Sequence, residues 1–141
     1  MKYYAVIDTN VLVSAMLKST SVPNAVMKMA FDGRISPLYN EAILGEYREV
    51  LSRPKFHLTK DIVDSIIQEI IQNGVNVEAE DLALLDFPDP KDVVFYEVVM
   101  EQRKTDDAYL VTGNIKHFPV KPFVVTPRQM LDLILSEQNE E

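Results

Sequence analysis

Short apolar runs alternate along the chain with longer stretches in which apolar residues recur every three or four positions. Tyr3 to Ile7 reads as a buried strand, followed by the polar turn Asp8-Thr9-Asn10 and a helix from Val11 to Leu17. Val22 to Phe31 has helical spacing and ends at Asp32-Gly33, where glycine suits the left-handed residue that closes a helix. Ile35 to Tyr39 is a short strand. Glu41 to Leu51 is helical and is stopped by Arg53-Pro54. Lys60 to Gln72 is a further helix with Ile62, Val63, Ile66, Ile67, Ile70 and Ile71 on its inner face, terminated by Asn73-Gly74. Val75 to Val77 predicts a brief strand, Lys91 to Arg103 a helix, and Tyr109 to Thr112 and Phe123 to Val125 two more strands. Pro127 to Leu135 closes the pattern as a helix, with Thr126 as its cap. Strands of a few nearly all-apolar residues, separated by helices, predict a parallel sheet buried on both faces. The expected fold is therefore a three-layer α/β/α sandwich. No repeat or linker interrupts it, and the loop Asp86 to Pro90 is too short to divide domains. A single domain over 1–135 is expected, with an acidic, flexible tail over 136–141.

Composition narrows the chemistry more than the fold. At 141 residues, 47% hydrophobic and 26% charged, the chain has the totals of a globular protein. It has no apolar stretch near the roughly 18 residues of a membrane span. Met1-Lys2-Tyr3-Tyr4 leads into an apolar segment without a small-residue cleavage site, so a cytoplasmic protein is expected, with no membrane partner. The absence of cysteine excludes disulfides, thiolate metal sites and a cysteine nucleophile. With His57 and His117 the only histidines, a metal would be held by oxygen, which favours Mg²⁺ or Mn²⁺. The net charge of −8 counts against a polyanionic partner unless bound cations invert the local charge.

Candidate chemistry lies where polar residues follow strands, because ligands of open parallel sheets sit outside the strands' carboxyl ends. Asp8 stands at such a position, within three consecutive residues of capping type where one would suffice. On a helical wheel Glu46 falls inside the apolar arc of Ala42, Ile43, Tyr47, Val50 and Leu51, and a buried carboxylate requires a partner. Asp89-Pro90-Lys91-Asp92 is a good helix start with Asp89 as cap, yet Asp92 shares a stripe with Phe95, Tyr96 and Val99 and should face the sheet. Thr112-Gly113-Asn114 arrives at the same sheet end as Asp8, where Asn114 could hydrogen-bond a metal-bound water. Asn10 belongs with these supporting residues. Asp106 and Asp107 precede their strand and read as solvated loop acids, and His117 reads as part of a packed loop. Three acids from three segments facing one crevice would repel one another unless a divalent cation joined them. Such a cluster suits phosphodiester hydrolysis. Arg48, Arg53, Lys55, Lys91 and Lys116 are the candidate contacts to a nucleic-acid backbone.

The set formed by Asp8-Thr9-Asn10-Val11-Leu12, Glu46-Tyr47-Arg48-Glu49-Val50-Leu51, Asp89-Pro90-Lys91-Asp92 and Tyr109-Leu110-Val111-Thr112-Gly113-Asn114 resembles a PIN domain. More narrowly, it resembles the VapC-like toxin components of toxin and antitoxin systems. The resemblance covers nearly the whole chain. It implies a five-stranded parallel sheet, dependence on Mg²⁺ or Mn²⁺, endonucleolytic cleavage of RNA, a homodimer, and an antitoxin protein that occludes the site. Carried over by position, Asp8, Glu46 and Asp92 would be the catalytic, metal-binding acids. Asn114 departs from the commoner aspartate after Thr-Gly, which leaves one or two metals open. Two alternatives stand beside this reading. One is a catalytically weak or inactive PIN-fold module that binds RNA or protein. The other is a phosphatase with an aspartate nucleophile in Asp8-Thr9-Asn10, for which Asn10 lacks the required acid.

Overall fold

The structure, a computed structural model, describes residues 3–83 and 87–139, with the side chains of 138 and 139 outside that description. Its strands are β1 (Tyr3–Ile7), β2 (Ile35–Tyr39), β3 (Val75–Asn76), β4 (Ala108–Val111) and β5 (Val124–Val125). They form one all-parallel sheet in the order β3-β2-β1-β4-β5. The helices are α1 (Thr9–Leu17), α2 (Val22–Phe31), α3 (Glu41–Leu51), α4 (Lys60–Asn73), α5 (Val93–Gln102) and α6 (Pro127–Asn139). This is the expected α/β/α sandwich. Ala5, Val6 and Ile7 in β1, and Ala108, Leu110 and Val111 in β4, are all buried, as strands covered on both faces must be.

The order of the strands fixes where a ligand can sit. β2 and β4 lie on opposite sides of β1, so the chain reverses its direction of progress across the sheet between them. The crevice outside the carboxyl ends of β1 and β4 is therefore a topological switch point. Ile7 is in register with Val111, and the Asp8 amide continues the ladder by donating to the Val111 carbonyl at 2.9 Å. The residues just beyond each strand are thus held side by side.

Local sequence explains most element ends. Asn40 and Thr59 cap α3 and α4 through their side chains, and Gly33 closes α2 at φ +94°, a conformation glycine adopts without strain. Gly74 ends α4 where a Cβ would collide with the carbonyl oxygens of Pro37 and Ile70, so only glycine lets the helix end lie against β2.

Several expectations are corrected. α4 buries Val63, Ile66, Ile67 and Ile70, but Ile62 and Ile71 are 47% and 37% exposed. At about 100° per residue those two lie roughly 90° to either side of the buried stripe. Ala42 likewise stands outside the buried arc of α3. The helix expected from Lys91 instead opens with a tight 3-10 turn, Pro90–Asp92, and only then becomes α5. Residues 136–139, expected in a flexible tail, continue α6. Of the Asp86 to Pro90 loop, Asp86 lies outside the described residues. Among the described residues no helix is long and apolar enough to cross a membrane.

Candidate active site

A cleft of about 480 Å³ opens at the switch point, and Asp8, Asn10, Glu46, Asp89 and Asp92 all line it, with Thr9, Glu49, Arg53 and Lys91 among its other walls. Each of the three principal acids arrives by a different route. Asp8 occupies the position before α1, yet its side chain makes no capping hydrogen bond to that helix. Its Oδ2 instead accepts from the Thr112 hydroxyl at 2.8 Å, across the switch point, and both residues are buried. Thr112 is fixed in turn: its Oγ1 accepts the Asn114 amide at 2.9 Å. Asp92 also precedes a helix, α5, and also makes no capping bond. Asp89 does cap, accepting the Lys91 amide at 3.0 Å, and is exposed.

Glu46 reaches the cleft from α3. The buried stripe of Ile43, Tyr47 and Leu51 presses that helix onto the core and leaves Glu46 half-buried at its edge. The Thr9 hydroxyl donates to Glu46 Oε2, and the Tyr47 hydroxyl donates to the Ile7 carbonyl, so α3 is bonded both to the end of β1 and to the first residue of α1. Burial, together with the nearby charges of Asp8 and Glu46, holds the Tyr47 phenol well above its ordinary pKa, and it stays a neutral donor.

The electrostatics of the cleft are strongly negative. Its walls carry five carboxylates against the two cations Arg53 and Lys91, and Arg53 is paired with Glu49 at 3.0 Å. Burial pushes the Asp8 carboxyl up despite the Thr112 hydrogen bond. Asp92 is pushed up to about 6, first by burial and then by the charges of Asp8 and Asp89, with Glu46 adding and His117 opposing. A carboxylate held in that state gains from any cation that enters.

The donors are all oxygens, which fits Mg²⁺ or Mn²⁺. Yet among the described residues no three acids or histidines stand close enough together to ligate one ion directly. Thr112 holds Asp8, Thr9 holds Glu46, and the His117 imidazole stands against Asp92, Nδ1 to Oδ2 3.4 Å. Mg²⁺ retains several of its waters and takes only one or two carboxylates directly, so the arrangement remains compatible with it.

Other expected contacts fall elsewhere. Asn114 and Lys116 line a neighbouring cavity rather than the acidic cleft. Arg48 is ion-paired with Asp64 and lines a third depression with Lys60 and Leu58. Lys55 lies over the Phe56 ring, 5.1 Å from its centroid. Asp106 and Asp107 are exposed, as expected. The roles of Thr9, Tyr47 and His117 escaped the sequence reading. Thr9 and Tyr47 were within reach of it, one beside Asp8 and the other beside Glu46. His117 was not, since its contact with Asp92 depends on the path of the loop after β4.

No curated protein matches the chain. The sequence profile described as PIN domain matches residues 4–116, a span that takes in β1 through β4 and every residue lining the acidic cleft. The chain therefore belongs to the PIN-domain family.

Proposed function

We propose that the protein is a Mg²⁺- or Mn²⁺-dependent endoribonuclease, with Asp8, Glu46 and Asp92 as its metal-binding acids. Membership in a family of nucleases supports phosphodiester hydrolysis at the coarse level. The observation that carries the finer reading is that Asp8, whose side chain leaves the cap of α1 unmade, and Asp92, on the turn that Asp89 caps, line one negative cleft with Glu46. A divalent ion bound there would lower the pKa of a water and stabilise charge developing on the phosphate. The chain's own contribution is to orient the acids: Thr112 fixes Asp8, Thr9 fixes Glu46, and Tyr47 anchors α3 to β1. Asp89 supports the site by capping the turn that presents Asp92. In the same reading the protein is a cytoplasmic homodimeric toxin whose cleft is covered by an antitoxin, and residues 1–135 form its one domain.

One observation favours a second reading, a PIN-fold module without catalysis: the acids do not stand in direct ligating geometry. Heating the protein with increasing Mn²⁺ or Mg²⁺ separates the two. The nuclease reading expects a rise in melting temperature that Asp8→Asn abolishes, and cleavage of single-stranded RNA that stops on chelation. No thermal response in the wild type would leave the module.

A further inference from the structure

A nuclease whose main cleft is this negative needs its attraction for the substrate strand elsewhere, because affinity for a polyanion comes from cations set against phosphates. Beside the acidic cleft lies a second cavity of about 310 Å³, walled by Gly113, Asn114, Ile115, Lys116, His117 and Thr126. No carboxylate lines it. Its walls come from the loop after β4 and the turn between β5 and α6, so it opens at the same carboxyl edge of the sheet as Asp8. His117 belongs to both sites: it lines this cavity while its Nδ1 stands 3.4 Å from Asp92. The two cavities are therefore one side chain apart.

The donors in this second cavity are free for a ligand. Lys116 is exposed and, among the described residues, has no carboxylate partner. Asn114 uses its backbone amide to hold Thr112, while its side chain makes no cap for the short 3-10 turn Ile115–His117. The start of α6 points the positive end of a 13-residue helix toward Thr126. Its first turn is already closed by the reciprocal bonds of Thr126 and Gln129, at 2.9 and 3.1 Å, so the helix contributes its field rather than unused N–H groups. Lys116, the Asn114 amide and that field favour one class of ligand, a phosphate oxyanion.

We infer that this cavity is the subsite for a phosphate of the substrate strand flanking the bond that faces Asp8 and Asp92. The inference rests on the nuclease reading and assigns to Lys116 and Asn114 the holding of the strand rather than contact with the metal. An aspartate at position 114 would place a negative charge against that phosphate.

Anisotropy of a fluorescein-labelled single-stranded RNA decamer, titrated with the full chain in EDTA at several salt concentrations, tests it. Lys116→Glu is expected to weaken binding on the order of tenfold and to lower the slope of log K against log salt by about 0.7, the loss of one phosphate contact. Asn114→Asp should weaken it in the same direction. Lys28→Glu is the charge-matched control: Lys28 is exposed in the last turn of α2, which leads into the amino end of β2, away from both cavities. If Lys116→Glu binds no more weakly than Lys28→Glu, the subsite is overturned, and so it is if the wild type binds no RNA. Lys116→Gln, which removes the positive charge without adding a negative one, replaces the glutamate variant should that one misfold. Inorganic phosphate in place of RNA, followed by amide shifts of Gly113, Asn114 and Lys116, distinguishes sources. Affinity equal to that of the decamer would identify a free-phosphate site and overturn the strand assignment. Cleavage assayed in parallel with Mn²⁺ keeps the two readings apart. A wild type that never cleaves, but loses RNA affinity in Lys116→Glu, would sink the nuclease and keep the subsite. A wild type that cleaves while Lys116→Glu binds normally would do the reverse.

Discussion

Asp8 and Asp89 occupy equivalent places, each directly before a helical segment, and the protein treats them in opposite ways. Asp89 is exposed and accepts the Lys91 amide at 3.0 Å, which is the local bond its position invites. Asp8 is 4% exposed, its side chain makes no capping hydrogen bond to α1, and its carboxylate is held sideways by Thr112 at 2.8 Å. Leaving a helix end uncapped and burying a carboxylate are each unfavourable. A fold that accepts both at one residue, and neither at the next comparable one, marks the first as retained for something other than stability. Asp92 sides with Asp8: it lines the same cleft, and burial with the neighbouring acids pushes its carboxyl up to about 6.

The contrast breaks most visibly in activity. Asp8→Asn keeps the shape and a hydrogen-bonding partner for Thr112 while removing the charge, and is expected to lower RNA cleavage with Mn²⁺ by at least about 100-fold. Asp89→Asn keeps a good cap and should stay within about threefold of wild type. Equal losses in the two variants, measured as kcat/KM on one RNA, would remove the distinction.

Stability should move the other way. In the folded chain Asp92 holds its proton up to about 6, whereas in the unfolded chain it ionises near the ordinary 3.8. Between those two values the folded state binds more protons than the unfolded one, so this residue makes stability fall as pH rises through the window. Above it the full penalty is present; below it there is none. Asp92→Asn in EDTA should therefore stabilise the protein by about 1–2 kcal/mol at pH 7.5, after allowance for solvent screening, and by almost nothing at pH 3.5. Urea denaturation at the two pH values reads this directly. A variant less stable than wild type at pH 7.5 would mean that the His117 contact outweighs the repulsion from Asp8, Asp89 and Glu46.

Asp89→Ala probes the capping side of the comparison and should cost about 1 kcal/mol, with Asp89→Asn costing only a few tenths. The same denaturation series measures it. A loss well beyond that size would show Asp89 doing more than capping.

How much of this was legible in the sequence differs between scaffold and site. Strands β1 and β2 and helices α2 and α3 follow from periodicity to the residue, because their apolar positions face a core that accepts no other pattern. The 3-10 turn at Pro90 did not, since proline and an aspartate cap start an α-helix equally well. Within the cleft, the strand-end position of Asp8, the wheel position of Glu46 and the stripe of Asp92 each pointed inward, and the structure gathers them. How far apart they stand could not be read, because that depends on side-chain partners such as Thr9 and His117. The destinations of Asn114 and Lys116 depend on loop conformation after β4, for which periodicity carries no information.

Arg48 gives the smallest expected effect and the cleanest limit on the comparison. It follows Tyr47 and Glu46 in sequence, and proximity along the chain made it a candidate for the nucleic-acid backbone. Two steps along a helix from Glu46 are about 200° around it, however, and that rotation carries Arg48 off the cleft and onto Asp64, in a depression shared with Lys60. Both partners are substantially exposed, 51% and 37%, so solvent screens the pair and it contributes little to stability. Arg48→Ala is accordingly expected to change RNA affinity less than about twofold and to leave the salt slope intact. Anisotropy with the same decamer checks it. A drop in slope like that expected for Lys116→Glu would mean that the strand crosses α3, and that charge placed two residues from Glu46 matters despite facing away from it.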